Sequence, residues 1–296
     1  MKRKTKGEIV FDVFNNILMF LVILIMLYPF LNQIAISLSD NVSVMSGRVS
    51  VYPVGFTIKA YKDVMTDARF IQSFSNTIYF TLICTVFQVA FMALYAYPLS
   101  KKYLKGNNIW MGLMVFSMMF GTGGLIPNYM LIKNLGLVNT YAGLILPGAV
   151  GIWNIIVLKN FYRQIPDSLE ESAMIDGANH FTTFIRIIIP LSLPSLAAIT
   201  LFTAVGAWNQ FFGALIYITD PEKKLLQVYL RDILQAVIVP NDSANTVNIV
   251  EEVTENVNSE TLKAATLMCS TIPILIVYPF VQKYFISGMM VGSVKG

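Results

Sequence analysis

Few residues in this chain could do chemistry, and fewer are spaced to do it. There is one histidine, His180, and no cysteine, serine or carboxylate set accompanies it in a separate role, so an acyl-transfer or proton-shuttle site has no constellation to stand on. Cys84 and Cys269 both lie inside apolar runs and offer neither a disulfide framework nor metal-ligand spacing. Gly121, Gly123 and Gly124 are not followed by Gly-Lys-Ser/Thr, so they form no phosphate loop. What remains is contact chemistry of two kinds. The first is a carboxylate cluster, Glu170, Glu171 and Asp176, on a polar connection ending at a glycine, Gly177. The second is a set of amides and rings inside apolar stretches: Asn209 next to Trp208 first, with Asn154 next to Trp153, Tyr129 and Gln88 as weaker members. An indole face suits the C–H surface of a sugar ring and an amide can bond its hydroxyls. The alternative for each is structural: an amide satisfied by a neighbouring helix and a ring used for packing.

The elements that must position these residues follow from composition. Of 296 residues, 55% are apolar and 13% charged, where an ordinary soluble domain has about 25% charged residues. The mean hydropathy is +0.63. A soluble enzyme, a disordered chain and a nucleic-acid-binding domain are excluded; the net charge of +4 is too small for a phosphate-binding footprint. The expectation is a polytopic membrane protein. A crossing helix needs about 20 apolar residues, and six stretches qualify: roughly 13–39, 76–99, 109–132, 141–161, 187–218 and 264–285. The basic leader, residues 1–6, precedes an apolar run too long for a signal-peptide core and without a cleavage site, so the first stretch reads as a retained span. The third is interrupted by Gly121, Gly123, Gly124 and Pro127, and the fifth carries Pro190 and Pro194 at its start.

Six spans place both termini on one side. That side collects 12 basic and 6 acidic residues, and the other 9 basic and 11 acidic. Positive charge is retained in the cytoplasm, so both termini are expected there, with the multi-pass chain in a cell membrane. No span is expected to hold a buried charge, which argues against ion-coupled transport. The external connections, 40–75 and 219–263, are the longest, and the second carries Asp242, Glu251, Glu252, Glu255 and Glu260. The chain divides into residues 1–72 (first span and external loop), 73–285 (a core of five spans) and 286–296 (a cytoplasmic tail).

The connection 162–186 reads as two short helices around a turn. Pro166 suits a first helical turn, and Asp167 with Glu170, or Ser168 with Glu171, has capping-box spacing. Leu169, Ala173 and Met174 recur on one face, Gly177 stops the helix after Asp176, and an amphipathic run over 181–185 leads to re-entry at the prolines. Glu171-Ser172-Ala173-Met174-Ile175-Asp176-Gly177-Ala178, followed by Ile189-Pro190 and Leu193-Pro194, resembles the EAA loop of binding-protein-dependent ABC transporter permeases, with Ser172 where the pattern usually has alanine. Gly124-Leu125-Ile126-Pro127 with Tyr129, Leu135-Gly136-Leu137 with Asn139-Thr140, Trp208-Asn209, and Gly288 with Gly292-Ser293-Val294-Lys295-Gly296 resemble the second permease subunit of multiple-sugar and polysaccharide-fragment importers.

This resemblance implies an all-α, six-helix type I importer permease of a prokaryotic membrane, with cytoplasmic coupling helices and no cofactor. It would act with a second homologous permease, two cytoplasmic ATPases and an extracytoplasmic solute-binding protein, and import a carbohydrate, an oligosaccharide above all. It also implies that Glu171 contacts the ATPase, Ala173 permits close approach, and Asp176 and Gly177 form the turn. The same residues read without the family leave Glu170 or Glu171 as a helix cap and Asp176 as a solvated turn. Rivals are a permease for another solute, such as peptide or phosphate, a stand-alone channel or secondary carrier, and an intramembrane enzyme. The last lacks any constellation within a span.

Overall fold

The computed structural model describes residues 5–120, 123–235 and 260–293, with side-chain surroundings through 279. The described residues outside turns and loops are helical. The acidic run Asp242, Glu251, Glu252 and Glu255, the basic residues at 2–4, Gly121 and residues 294–296 lie outside them.

The chain forms two compact units. One comprises residues 1–71 with 230–272. Its leading element, α1 (Lys6–Ser37), opens on a capping box: Thr5 Oγ1 accepts from the Glu8 N–H at 3.4 Å, and the Thr5 N–H donates to Glu8 Oε2 at 2.6 Å. At about 1.5 Å per residue its 32 residues exceed a hydrocarbon core of about 30 Å. Its large apolar side chains from Ile9 to Phe30 are exposed, as for a helix whose solvent is lipid. The connection carrying α2 (Asn41–Met45) and α3 (Lys59–Thr66) is tied to the end of α1 by polar contacts. Asn32 Nδ2 donates to Ser50 O at 2.7 Å, the Val54 N–H to Ser39 Oγ at 3.0 Å, and the Ser37 and Tyr61 hydroxyls lie 2.8 Å apart.

The other unit comprises residues 72–229 with 273–296. Its backbone is α4 (Ala68–Ser100), whose buried residues Ser73, Thr77, Phe80, Cys84, Met92, Ala96, Tyr97 and Ser100 recur mostly at helical spacing. This stripe serves two clusters. Met92, Ala96 and Tyr97 pack with Met114 of α5 (Asn107–Phe120), Ile155, Leu158 and Tyr162 of α8 (Ile152–Tyr162), and Leu196 and Ile199 of α12 (Leu193–Trp208). Phe80 and Cys84 pack with Leu144 and Ile145 of α7 (Ala142–Ile145), Ala207 of α12, Ala214 of α13 (Phe212–Tyr217) and Val228 of α14 (Leu226–Gln235).

The expected spans are kept in part. α1, α4 and the final helix, α15 (Glu260–Ser293), are each long and apolar enough to cross a membrane. The third stretch is two helices, α5 and α6 (Leu125–Asn134), parted at the glycines; Gly123 and Gly124 have φ of 71° and 97°, open to glycine at little steric cost. The fourth, expected as one helix over 141–161, is not continuous: the four-residue α7 is separated from α8 by a turn at Pro147 and Gly148. Pro147 lacks a backbone donor and disfavours a helical residue before it, and Gly148 lets the Gln88 side chain approach to where a Cβ would lie 2.3 Å from it. The fifth is also broken, into α12 and α13. The expectation of no buried charge needs correction as well. Lys159, in the fourth stretch, is 8% exposed, and Lys101, just beyond α4, is 6% exposed.

Candidate functional site

The connection after α8 folds as helix, turn and helix. α9 (Asp167–Ile175) starts after Pro166. The capping spacing seen in the sequence is not used: Pro166 stands at the N-cap, and no side chain caps the helix. The carboxylates are engaged elsewhere. Asp167 pairs with Lys102 at 3.4 Å, both side chains being more than half exposed. Glu170 turns inward, is 5% exposed, and forms a buried ion pair with Lys101. The Tyr97 hydroxyl donates to Glu170 Oε2 at 3.3 Å, and Lys101 Nζ sits 4.8 Å from the centre of the Tyr97 ring. Such a cluster keeps both charges satisfied away from water. Burial, with Glu170 and Asp167 nearby, pushes the Tyr103 phenol above its usual range, so it stays neutral.

α9 ends at Gly177, with φ 84°. The Ala178 N–H donates to Ala173 O at 2.9 Å and the Gly177 N–H to Met174 O at 3.1 Å. These two bonds are the Schellman closure that the left-handed residue makes possible. Asn179 then caps α10 (His180–Thr183), its Oδ1 accepting from the Thr182 N–H at 2.8 Å. The chain continues through a wide turn over Phe184–Ile188 and α11 (Ile189–Leu191). It bends by 83° at Ser192, between Pro190 and Pro194, into α12. The prolines thus mark a corner, as expected. Glu171 points outward from α9, and so do the apolar Leu169, Met174 and Ile175; Phe181 of α10 is exposed too. Ala173 is half-buried and Asp176 exposed. His180 is exposed, its ring 6.0 Å from that of Tyr103.

The residues expected to meet a solute do not gather in one place. Asn154 lines a cavity of about 410 Å³ with Gln88, Thr203 and Gln210 among its polar neighbours and Phe80 and Met92 among its apolar ones. Gln88 Nε2 donates to Ile145 O at 2.9 Å, and the buried Thr203 hydroxyl has no partner among the described residues. Trp208 is 6% exposed, packed edge-to-face on Phe74 at 5.8 Å, and lines a separate apolar cavity. Asn209 is exposed; its Nδ2 donates to Val205 O at 2.9 Å and its Oδ1 accepts from Gln227 at 3.3 Å. Tyr129 stacks on Tyr217 at 6.2 Å. Lys101, Tyr97 and the inward role of Glu170 were not foreseen: two lysines closing an apolar run are a visible signal, but their partners lie 65 and 69 residues away.

Helices long and apolar enough to cross a membrane, a cavity of mixed polar and apolar lining against α4, and a helix–glycine–helix loop are together the features of a membrane permease. The chain belongs to the family of binding-protein-dependent transport system inner membrane components, which residues 99–291 match. It is 42% identical over 292 residues to Protein LplC of Bacillus subtilis (strain 168), covering 99% of this chain and 97% of that one. It is 39% identical over 284 residues to the polygalacturonan/rhamnogalacturonan transport system permease protein YtcP of the same organism, covering 96% and 97%. A chain in the crystal structure of a bacterial ABC transporter involved in the import of the acidic polysaccharide alginate superposes with a TM-score of 0.86 at 33% identity, covering 96% of this chain and all of that one.

Proposed function

We propose that the chain is the permease subunit of an ATP-driven importer that passes a carbohydrate, an oligosaccharide in the first place, across the membrane from an external binding protein. The observation that carries this reading is the loop 162–186. It combines a glycine closure at positive φ, an outward Glu171 and exposed apolar residues on α9, in a chain of a binding-protein-dependent family. An exposed apolar helix face beside a carboxylate suits a protein partner. Here that partner is an ATPase: Glu171 makes the polar contact, Ala173 allows close approach, and Asp176 with Gly177 forms the turn. Relatives named for polygalacturonan and alginate transport support a carbohydrate over a peptide or phosphate.

The assembly holds a second homologous permease, two ATPases and a solute-binding protein. The chain crosses the membrane six times, with both termini in the cytoplasm; α7 and α8 together make the fourth crossing. The core is 73–285, following residues 1–72 and preceding the tail 286–296. Among the pathway candidates, Asn154 is supported by its place on a polar cavity. Trp208, Asn209 and Tyr129 stay path candidates on the sequence pattern alone; the contacts described for them, with Phe74, Val205 and Tyr217, are internal packing and hydrogen bonds. The test is ATP-dependent uptake of labelled oligosaccharides by proteoliposomes holding the co-expressed assembly. Uptake of dipeptides or phosphate, with none of oligosaccharide, would overturn the carbohydrate assignment.

A further inference from the structure

We propose, on the basis of the permease reading above, that the buried Lys101–Glu170 pair is the rigid joint through which movement of α9 is delivered to α4, making both residues positioning residues for coupling rather than contacts with the ATPase. Three observations converge. First, the pair is 6% and 5% exposed within this single chain, so neither side chain is presented to a partner. Glu171, one position on, is the carboxylate that faces out.

Second, the end of α4 is a hub for the whole loop. Lys101 holds Glu170, Lys102 meets Asp167, the Ser100 carbonyl accepts from Arg163 Nε at 3.4 Å, Tyr97 packs on Phe184 at 5.0 Å, and Tyr103 lies beside His180. Most of these contacts can slide. An exposed pair such as Lys102–Asp167 is screened and costs little to part. Separating Lys101 from Glu170 strands two charges in a dry site, so α9 and the end of α4 move together or not at all. Hydrophobic residues of similar volume would hold the helices at least as firmly. A charge pair here therefore does something packing alone does not: it fixes one register between the two elements.

Third, α4 carries the motion onward. Phe80, Cys84, Gln88 and Met92 of the same helix wall the polar cavity. Gln88 lies 13 residues before Lys101, about 20 Å along the helix axis. Displacement of the loop thus reaches the cavity through one continuous helix, with the left-handed turn at Gly177 closing the far end of α9.

The test uses the complete reconstituted assembly and reads oligosaccharide uptake and ATP hydrolysis separately, at matched subunit ratios, for Glu170→Gln, Lys101→Met and the exchanged pair Lys101→Glu with Glu170→Lys. The expected result is hydrolysis within about twofold of the wild type but uptake lowered by about tenfold in each single variant, with partial recovery of the uptake-to-hydrolysis ratio in the exchanged pair. If uptake and hydrolysis fall in proportion, or if uptake stays at the wild-type level, the joint is overturned. Absence of ATP-dependent uptake in the wild-type assembly overturns the underlying permease reading itself, and is seen before any variant is compared.

Discussion

Asn139 Oδ1 accepts both the backbone N–H of Thr219, at 2.6 Å, and the Thr219 hydroxyl, at 2.9 Å. It also accepts the Asp220 N–H at 3.1 Å, while the Asn139 N–H donates to Tyr217 O at 2.8 Å. Asn139 achieves this at φ 59°, the one non-glycine residue with positive φ among those described. Asparagine tolerates that region better than most residues, and here its side chain ties the 135–141 turn to the segment after α13. Asn139→Ala should lower stability by about 1–3 kcal/mol, through the lost acceptor and the left-handed strain together. Asn139→Gly should relieve the strain alone and lose less. Thermal unfolding in detergent micelles distinguishes them; an alanine variant melting with the wild type would show that the clasp is idle.

Adjacent carboxylates on α9 should behave oppositely. Glu170→Ala leaves Lys101 buried without its partner, and breaking such a pair costs about 3–5 kcal/mol. A drop in membrane level or melting temperature is expected. Glu171→Ala removes an outward group and should leave level and melting unchanged while abolishing uptake and weakening co-purification of the ATPase. Normal uptake with full ATPase retention in Glu171→Ala would remove Glu171 from the interface.

At Gly177 the expected defect is conformational. A Cβ there meets nothing within 4 Å, but φ is 84°. Gly177→Ala should therefore cost only the left-handed penalty, about 1–2 kcal/mol. Gly177→Asp adds a second carboxylate beside Asp176 and should abolish uptake with the protein still in the membrane. Circular dichroism of a peptide cannot report this; uptake at matched membrane levels can, and wild-type uptake by the aspartate variant would refute it.

The charge asymmetry fixes an expected topology. A reporter after Lys105 should lie in the cytoplasm and one near Asn245 outside, because Lys101, Lys102 and Lys105 sit in one short connection without an acid. Alkaline phosphatase activity from the Lys105 fusion would invert the orientation.

The purified chain alone should neither bind nor hydrolyse ATP, because no Gly-rich sequence in it is followed by Lys-Ser/Thr. Nucleotide titration monitored by fluorescence, with a turnover assay, checks this; turnover free of any partner subunit would assign the chain a site of its own.

Local signals in the sequence were enough to place α1, α4 and α15, the break at Gly123 and Gly124, the turn at Gly177 and the corner between Pro190 and Pro194. Each depends on apolar run length or on backbone conformations open to one residue type, both written in neighbouring positions. The tertiary structure decided the rest. Apolar content marks 141–161 as membrane-compatible, but only the Gln88 side chain, from another helix, shows why a glycine stands at 148 in the turn that interrupts it. Spacing offered Glu170 to a helix cap; Lys101, 69 residues away, took it instead. A buried charge goes wherever an opposite charge and a hydroxyl wait out of water, and a pairing that long-range leaves no trace in local periodicity. Trp208 and Asn209 make the same point in neighbouring positions. One ring is buried on Phe74 and one amide is bonded to Val205 and Gln227, because rotation along a helix sends adjacent side chains to different faces.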